Sequence, residues 1–160
     1  METGLRLARI DAHSPHVATL AGWAHAEWGH LHPGRDPAVA LEAFRDDCGS
    51  AGVPSVFAAM HGERPVGMAS LVVDDMSDRC ELTPWLASVY VLPEWRGRGL
   101  ASRLVRRVEE EARAHGVECC YLYTPDQQAL YRRLGWQDHE ERDYRGEAVT
   151  IMQRDLGSPA

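Results

Sequence analysis

No run of apolar residues in this chain of 160 approaches the roughly 20 needed to cross a bilayer. The opening residues, METGLRLARIDAH, hold no apolar block of the kind a secretory signal carries. Both absences point to the cytoplasm and to no membrane partner. Basic charge is also short: 17 Lys and Arg stand against 24 Asp and Glu, a formal net charge of -7. Sequence-independent grip on nucleic acid needs a broad cationic surface, so nucleic acid is not an expected partner. Cysteine is sparse and unpatterned. Cys48 and Cys80 are isolated, Cys119 and Cys120 would face opposite ways on a strand, and no CxxC pair signals zinc or a redox disulfide. Free thiols, one or two of them in the core, are expected. The eight histidines share no ligand spacing beyond a loose grouping of His25, His30 and His32, so no metal is expected either.

What is there, 44% hydrophobic and 26% charged, is the composition of an ordinary globular protein. Residues 1–156 read as one domain and 157–160, GSPA, as a tail. Residues 5–10 make a first strand. Ser14-Pro15 reads as a helix cap followed by proline, opening a helix that runs to about His30, and Asp36-Pro37 repeats the signal for a second. From Ser55 the period changes to that of strands, with a hairpin turn at Gly62-Glu63. A further strand covers 81–92. Leu100, Leu104, Val105, Val108 and Ala112 form one stripe of a helix over 99–115, stopped by Gly116. A strand over 117–124, a short helix over 126–134 and two closing strands near 136–142 and 147–156 complete the order β-α-α-β-β-β-α-β-α-β-β. This is an α/β (α+β) fold with a mixed central sheet of about seven strands and flanking helices: the hairpins demand antiparallel pairs, the strand-helix-strand unit a parallel one.

The segment VYVLPEWRGRGLASRLV, residues 89–105, sets two arginines and two glycines between a strand and a helix. A strand that turns into a helix presents the helix's first N–H groups as an anion site. Glycines allow positive φ and close approach, and arginines add charge-assisted bonds suited to phosphate. The turn reads as a pyrophosphate cradle. It is not a P-loop, since GxxxxGK[ST] is missing, and the third glycine of a dinucleotide fingerprint is missing too.

VLPEWRGRGLA resembles the acetyl-CoA-binding signature of the GNAT (GCN5-related) N-acetyltransferases, Gln/Arg-x-x-Gly-x-Gly/Ala, with Arg96, Gly99 and Ala101 in the fixed places. The block ALYRRLGW, residues 129–136, resembles a second element of that family, with Trp136 for the usual phenylalanine. The element order also fits the GNAT fold. The resemblance implies acetyl-CoA as co-substrate, direct attack by an amine in a ternary complex, and no metal. It implies that the main chain of Arg96, Gly97, Arg98, Gly99, Leu100, Ala101 and Ser102 holds the pyrophosphate. Val89, Tyr90 and Val91 would pair with the pantetheine arm, their strand splaying from the strand after Val117. An N–H at or beside Val91 would polarise the thioester carbonyl.

Acetyl transfer also needs a neutral amine, and an alkylamine with a pKa near 10.4 is neutral only about once in 2,500 molecules at pH 7. By resemblance Tyr131 is the acid that protonates the departing thiolate. The base is open, because the strand before the signature carries Trp85-Leu86-Ala87-Ser88 and no glutamate. Glu81, the nearest carboxylate expected on that strand, and a water relayed through Ser88 are candidates, as are Glu27, Asp74 and Asp75. In this fold the first two helices and the loop after the central hairpin wall the acceptor. They supply Trp23, Glu27, Trp28 and Asp36, then Asp74, Asp75 and Asp78. Tryptophans with carboxylates suit a small cationic amine, aminoglycoside-like or polyamine-like. A protein N-terminus or lysine, or a non-catalytic acyl-CoA-binding module, are the alternatives. Relatives are often dimers, which makes the closing strands candidate edges of a homodimer.

Overall fold

The computed structural model describes residues 4–157; the rest of the terminal segment read as a tail lies outside the described residues. The chain runs β1 (Leu5–Arg9), α1 (Val17–Trp28), α2 (Pro37–Asp46), β2 (Ser55–His61), β3 (Arg64–Val72), β4 (Trp85–Val91), α3 (Leu100–Ala114), β5 (Cys119–Thr124), α4 (Gln128–Arg133), β6 (Gln137–Tyr144) and β7 (Glu147–Asp155). This is the expected order. The seven strands form one sheet, β1-β2-β3-β4-β5-β7-β6, antiparallel at every step except β4–β5, which is parallel.

The central strands are buried on both faces, so β2 and β3 read as continuous apolar runs. Phe57 and Ala59 face α3, whose Leu100, Leu104, Val105, Val108 and Ala112 form the expected stripe. Val56, Ala58 and Met60 face Val17, Leu20 and Ala21 of α1 and Phe44 of α2. Helices thus cover both sides of the sheet around β2–β4.

Two of the boundaries that move from their expected places do so for a visible reason. Ser14 Oγ accepts the His16 N–H at 3.1 Å, stabilising a turn before α1, and the helix starts at Val17 with His16 as its cap. By contrast, Asp36 caps α2 as expected, its Oδ1 accepting the Ala38 N–H at 2.8 Å with Pro37 in the first turn. The second shift touches a site candidate. β4 starts at Trp85, so Glu81 is not on the strand; it sits in a turn closed by Leu82 N–H donating to Arg79 O at 3.1 Å. Pro84 lacks the N–H that would carry the ladder further back.

Two buried charges were not visible in the apolar stripe of α3. Glu111 accepts from Gly52 N–H (2.7 Å) and pairs with Arg9 (2.8 Å), Arg107 (3.2 Å) and His115 (3.1 Å). Burial opposes its ionisation, but the Gly52 N–H and the Arg9 and Arg107 guanidiniums outweigh it and hold the carboxyl below its ordinary range. Glu109 accepts the Trp136 indole N–H at 3.0 Å. Of the two closing strands only β6 is an edge; β7 lies between β5 and β6. The β6 sequence, QDHEERDY, is dense in charge, a composition that discourages a further strand from pairing there.

Candidate active site

β4 and β5 share one register position, Trp85 opposite Tyr121, and then separate. The cause lies in β4. Tyr90 pairs with Met68 and Ala87 with Ser70, so Ser88 and Val89 together oppose the single Ala69, a bulge. Ser88 takes the extra turn at φ +55°, a left-handed conformation that costs an L-residue about 1–2 kcal/mol. The splay expected between these strands is present, and it opens a cavity of about 1100 Å³ through the sheet.

One arm of the cavity ends at the arginine-glycine turn. Gly97 and Gly99 both have φ +78°, and a Cβ at either would meet nothing within 4 Å, so backbone conformation and not crowding requires glycine. Gly99 is the cap residue of α3, leaving the N–H groups of Leu100, Ala101 and Ser102 without intrahelical acceptors and on the cavity wall. The arginines do something the sequence did not show. Arg96 Nε donates to Val91 O at 2.9 Å and its guanidinium lies 5.5 Å from the Tyr90 ring, tying the turn to the end of β4. Arg98 covers the Trp95 ring at 4.6 Å, and it is not among the residues lining the cavity.

Val89, Tyr90 and Val91 line the gap. Leu92 N–H donates to Val66 O at 2.9 Å. Since successive main-chain groups of a strand point to opposite sides, the Val91 N–H and C=O are turned toward β5. Arg96 takes that carbonyl, and the Val91 N–H is aimed into the gap.

Tyr131 lies on α4, only 7% exposed and on the cavity wall. Thr124 Oγ1 accepts the Gln127 N–H at 3.0 Å and so shapes the turn that starts α4. Among the described residues no group meets the Tyr131 hydroxyl. Burial first, then the Asp126 charge, push its pKa up to about 12.

The opposite arm is acidic and aromatic. Glu27, Trp28, Asp74 and Asp75 line it. Trp23 does not: its ring packs 5.5 Å from Tyr90 among the apolar residues of α1, while Trp28 meets Tyr90 edge-on at 6.4 Å. Asp36 caps α2, Asp78 pairs with Arg142 at 2.7 Å, and Glu81 lies 3.9 Å from Arg79; none of the three is on the wall. The sequence reading missed Asp47, Tyr123, Tyr144 and Glu147, which are on it. A signal for Asp47 existed. Asp46-Asp47 close α2, where the helix dipole disfavours carboxylates, so the pair works against local stability. Burial, and after it Asp46, raise Asp47 to about 6 against the pull of Arg35. His25, His30 and His32 line the same arm. His32 is lowered by burial and then by Arg35 and Arg145.

Comparison with known proteins agrees with this arrangement. Residues 17–136 match the acetyltransferase (GNAT) family profile, well over half of the chain. The uncharacterized N-acetyltransferase YjgM of Escherichia coli (strain K12) is 40% identical over 75 residues, which are 44% of this chain and 42% of YjgM. The match thus spans less than half the length of that relative. YncA of Salmonella typhimurium, solved with acetyl-CoA, superposes with a TM-score of 0.71 at 22% identity, over 99% of this chain and 97% of its own. Aminoglycoside 6'-acetyltransferase type Ii gives 0.73 at 17% identity, over 94% and 97%. At these identities the two structures are alike in fold. Signature turn, parted strands, element order and profile coincide, and the chain belongs to the GNAT acetyltransferase family.

Proposed function

We propose that this protein, through one domain over residues 1–156, moves the acetyl group of acetyl-CoA to a primary amine by direct attack in a ternary complex. The observation that carries this reading is the cavity through the parted strands. It has main-chain donors for a diphosphate at one end and an acidic, aromatic chamber at the other. The residues present fit the co-substrate: free first-turn N–H groups above two left-handed glycines, and a strand edge left open beyond Trp85.

Bound there, acetyl-CoA supplies an activated acyl group on a thiolate leaving group. The turn from Arg96 to Ser102 anchors the diphosphate, and Val89 to Val91 offer an unpaired edge to the pantetheine arm. The Val91 N–H meets the thioester carbonyl, and one such donor is worth about 3 kcal/mol in the transition state. Tyr131 keeps its proton at neutral pH and holds it at the sulfur's side of the gap, an acid contribution of roughly 10²–10⁴-fold. Ser88 shapes the gap through its backbone and lines it.

The acceptor in this reading is a small cationic amine, aminoglycoside-like or polyamine-like. Glu27, Asp74, Asp47 and Glu147, with Asp75 as a hydrogen-bond acceptor beside them, around Trp28, Tyr123 and Tyr144 support it, as polar groups and ring faces that suit an ammonium. The four unpaired thiols support a reducing cytoplasm. Thiol release from acetyl-CoA across a panel of polyamines, aminoglycosides and N-terminal peptides tests the whole. Acetylation of the small amines is expected, and acetylation of peptides alone overturns the acceptor. The chain has no lysine, all 17 Lys and Arg positions being arginine, so no lysine self-acetylation clouds the assay.

A further inference from the structure

We propose that Asp75 takes the proton from the acceptor's ammonium, with Asp47 across the chamber tuning it as a positioning residue. This rests on the acetyl-transfer reading above and names the base that reading lacks.

Val72 at the end of β3 pairs with Trp85 at the start of β4, and Trp85 pairs with Tyr121 on β5. Trp85 is fully buried and cannot accept a proton. The loop leaving β3 passes this same end of the gap, and its Asp75 stands half-buried on the wall beside the buried Met76. Two residues past Tyr121, on the same side of β5, Tyr123 meets it from across the gap. Asp75 is therefore at the acceptor end of the splay, and no hydrogen bond or ion pair among the described residues engages its carboxylate. A carboxylate kept for structure would have donors, as Glu111 does.

The other carboxylates fail on position or environment. Glu81 is off the wall, and Glu27 and Asp74 are exposed. Asp47 shares desolvation and an empty acceptor, but Arg35 pulls it back, and Asp75 is the more strongly raised of the two. Asp47 from the end of α2 and Tyr123 from β5 are the electrostatic neighbours of Asp75, Asp74 adjoins it on its own loop, and Tyr144, Arg145 and Glu147 of the β6–β7 hairpin act on Tyr123 behind it. Burial first, and then the Asp47 charge, raise Asp75 to about 8. That is near working pH, where a base both is available and binds a proton well. Tyr123 is raised far out of range by burial and by Asp75, and keeps its proton.

The step balances. One ammonium proton passes to Asp75 and later to solvent. The nitrogen lone pair forms the C–N bond as the C–S bond breaks, and the thiolate takes the Tyr131 proton. Tyr131 is reprotonated by the second proton the nitrogen sheds, leaving amide, CoA thiol and one released proton.

The test compares two probe nucleophiles in wild type and Asp75→Asn: spermidine, an ammonium at pH 7, and methoxyamine, already neutral there. With spermidine kcat is expected to fall at least 100-fold, and with methoxyamine the loss shrinks to under about tenfold. In Asp47→Asn the ascending limb of the pH–rate profile moves to lower pH, because removing a neighbouring negative charge eases ionisation of Asp75. Carboxyl-13C aspartate NMR on the free protein should show one resonance, lost in Asp75→Asn, titrating near 8. A resonance titrating near the ordinary value of about 4, or equal losses with both probes, overturns the assignment of Asp75. If wild type acetylates neither probe nor any other amine, the acetyl-transfer reading fails, and the base falls with it.

Discussion

Trp85 on β4 and Tyr121 on β5 stand opposite each other at the one position where these parallel strands keep register among the described residues, their rings 6.0 Å apart. Past this clasp the strands part. The bulge at Ser88 rotates the outer half of β4 away, so that its Val91 N–H has the gap to face instead of a neighbouring strand. The opening is thus a controlled failure of sheet pairing.

That relationship makes Ser88 the residue to change first. Ser88→Val places a β-branched side chain at φ +55°, which should lower stability by about 1–2 kcal/mol or force the bulge to straighten. Either outcome disturbs the gap. Calorimetry should find acetyl-CoA binding at least tenfold weaker, and urea melts should report the stability loss.

At the far end of the same arm, Gly99→Ala introduces a methyl where nothing crowds it but where φ is +78°. The strain is about 1–2 kcal/mol, concentrated on the cap that orients the free N–H groups of α3. The expected result is a Kd for acetyl-CoA raised at least tenfold with kcat at saturation changed little. Equal affinity in mutant and wild type would remove the turn from the binding site.

Tyr131→Phe tests the acid. It should lower kcat at least tenfold while leaving acetyl-CoA affinity nearly unchanged, since the ring and its packing on Trp136 at 6.2 Å remain. The sign of the pH effect is fixed by the raised pKa. The protonated form is the active one and is lost only as pH rises through about 12, so Tyr131 puts no descending limb into a profile over pH 6–10. Unchanged turnover by the mutant across that range would end its role.

Glu111 governs acid stability. Its folded pKa is depressed, so its contribution is fully present above the unfolded value of about 4.3 and is lost as pH falls below that toward the folded one. Glu111→Gln should destabilise by about 3 kcal/mol at pH 7, because Arg9 and Arg107 lose their buried partner. It should also flatten the stability curve between pH 5 and 3. Chemical denaturation at three pH values checks both.

Much of this molecule was written locally. The Asp36-Pro37 start of α2, the stripe Leu100, Leu104, Val105, Val108 and Ala112, and the hairpin at Gly62-Glu63 appear where the residues place them. Each depends on interactions within a few residues. The arginine-glycine turn belongs to the same class, since positive φ and a helix start are local properties. Where the reading slipped, a local signal was ambiguous: Ser14-Pro15 shapes a turn, and Glu81 precedes a proline that delays β4.

The site beyond the cradle was a different matter. A string of letters presents Glu27, Asp36, Asp47, Asp74, Asp75, Asp78 and Glu81 as one kind of residue. What separates them is surroundings: Asp36 caps a helix, Asp78 meets Arg142, and Asp75 is half-buried on a wall to which α2, β5 and the β6–β7 hairpin contribute from distant parts of the chain. The same holds for Trp23 and Trp28, two rings on one helix that both pack against Tyr90, of which Trp28 is on the wall and Trp23 is not. Sequence alone determined which elements form and where a glycine turn opens a helix, because backbone conformation and helix caps are short-range. Only tertiary structure decided which carboxylate is desolvated, because desolvation is the summed effect of neighbours that the chain brings together last.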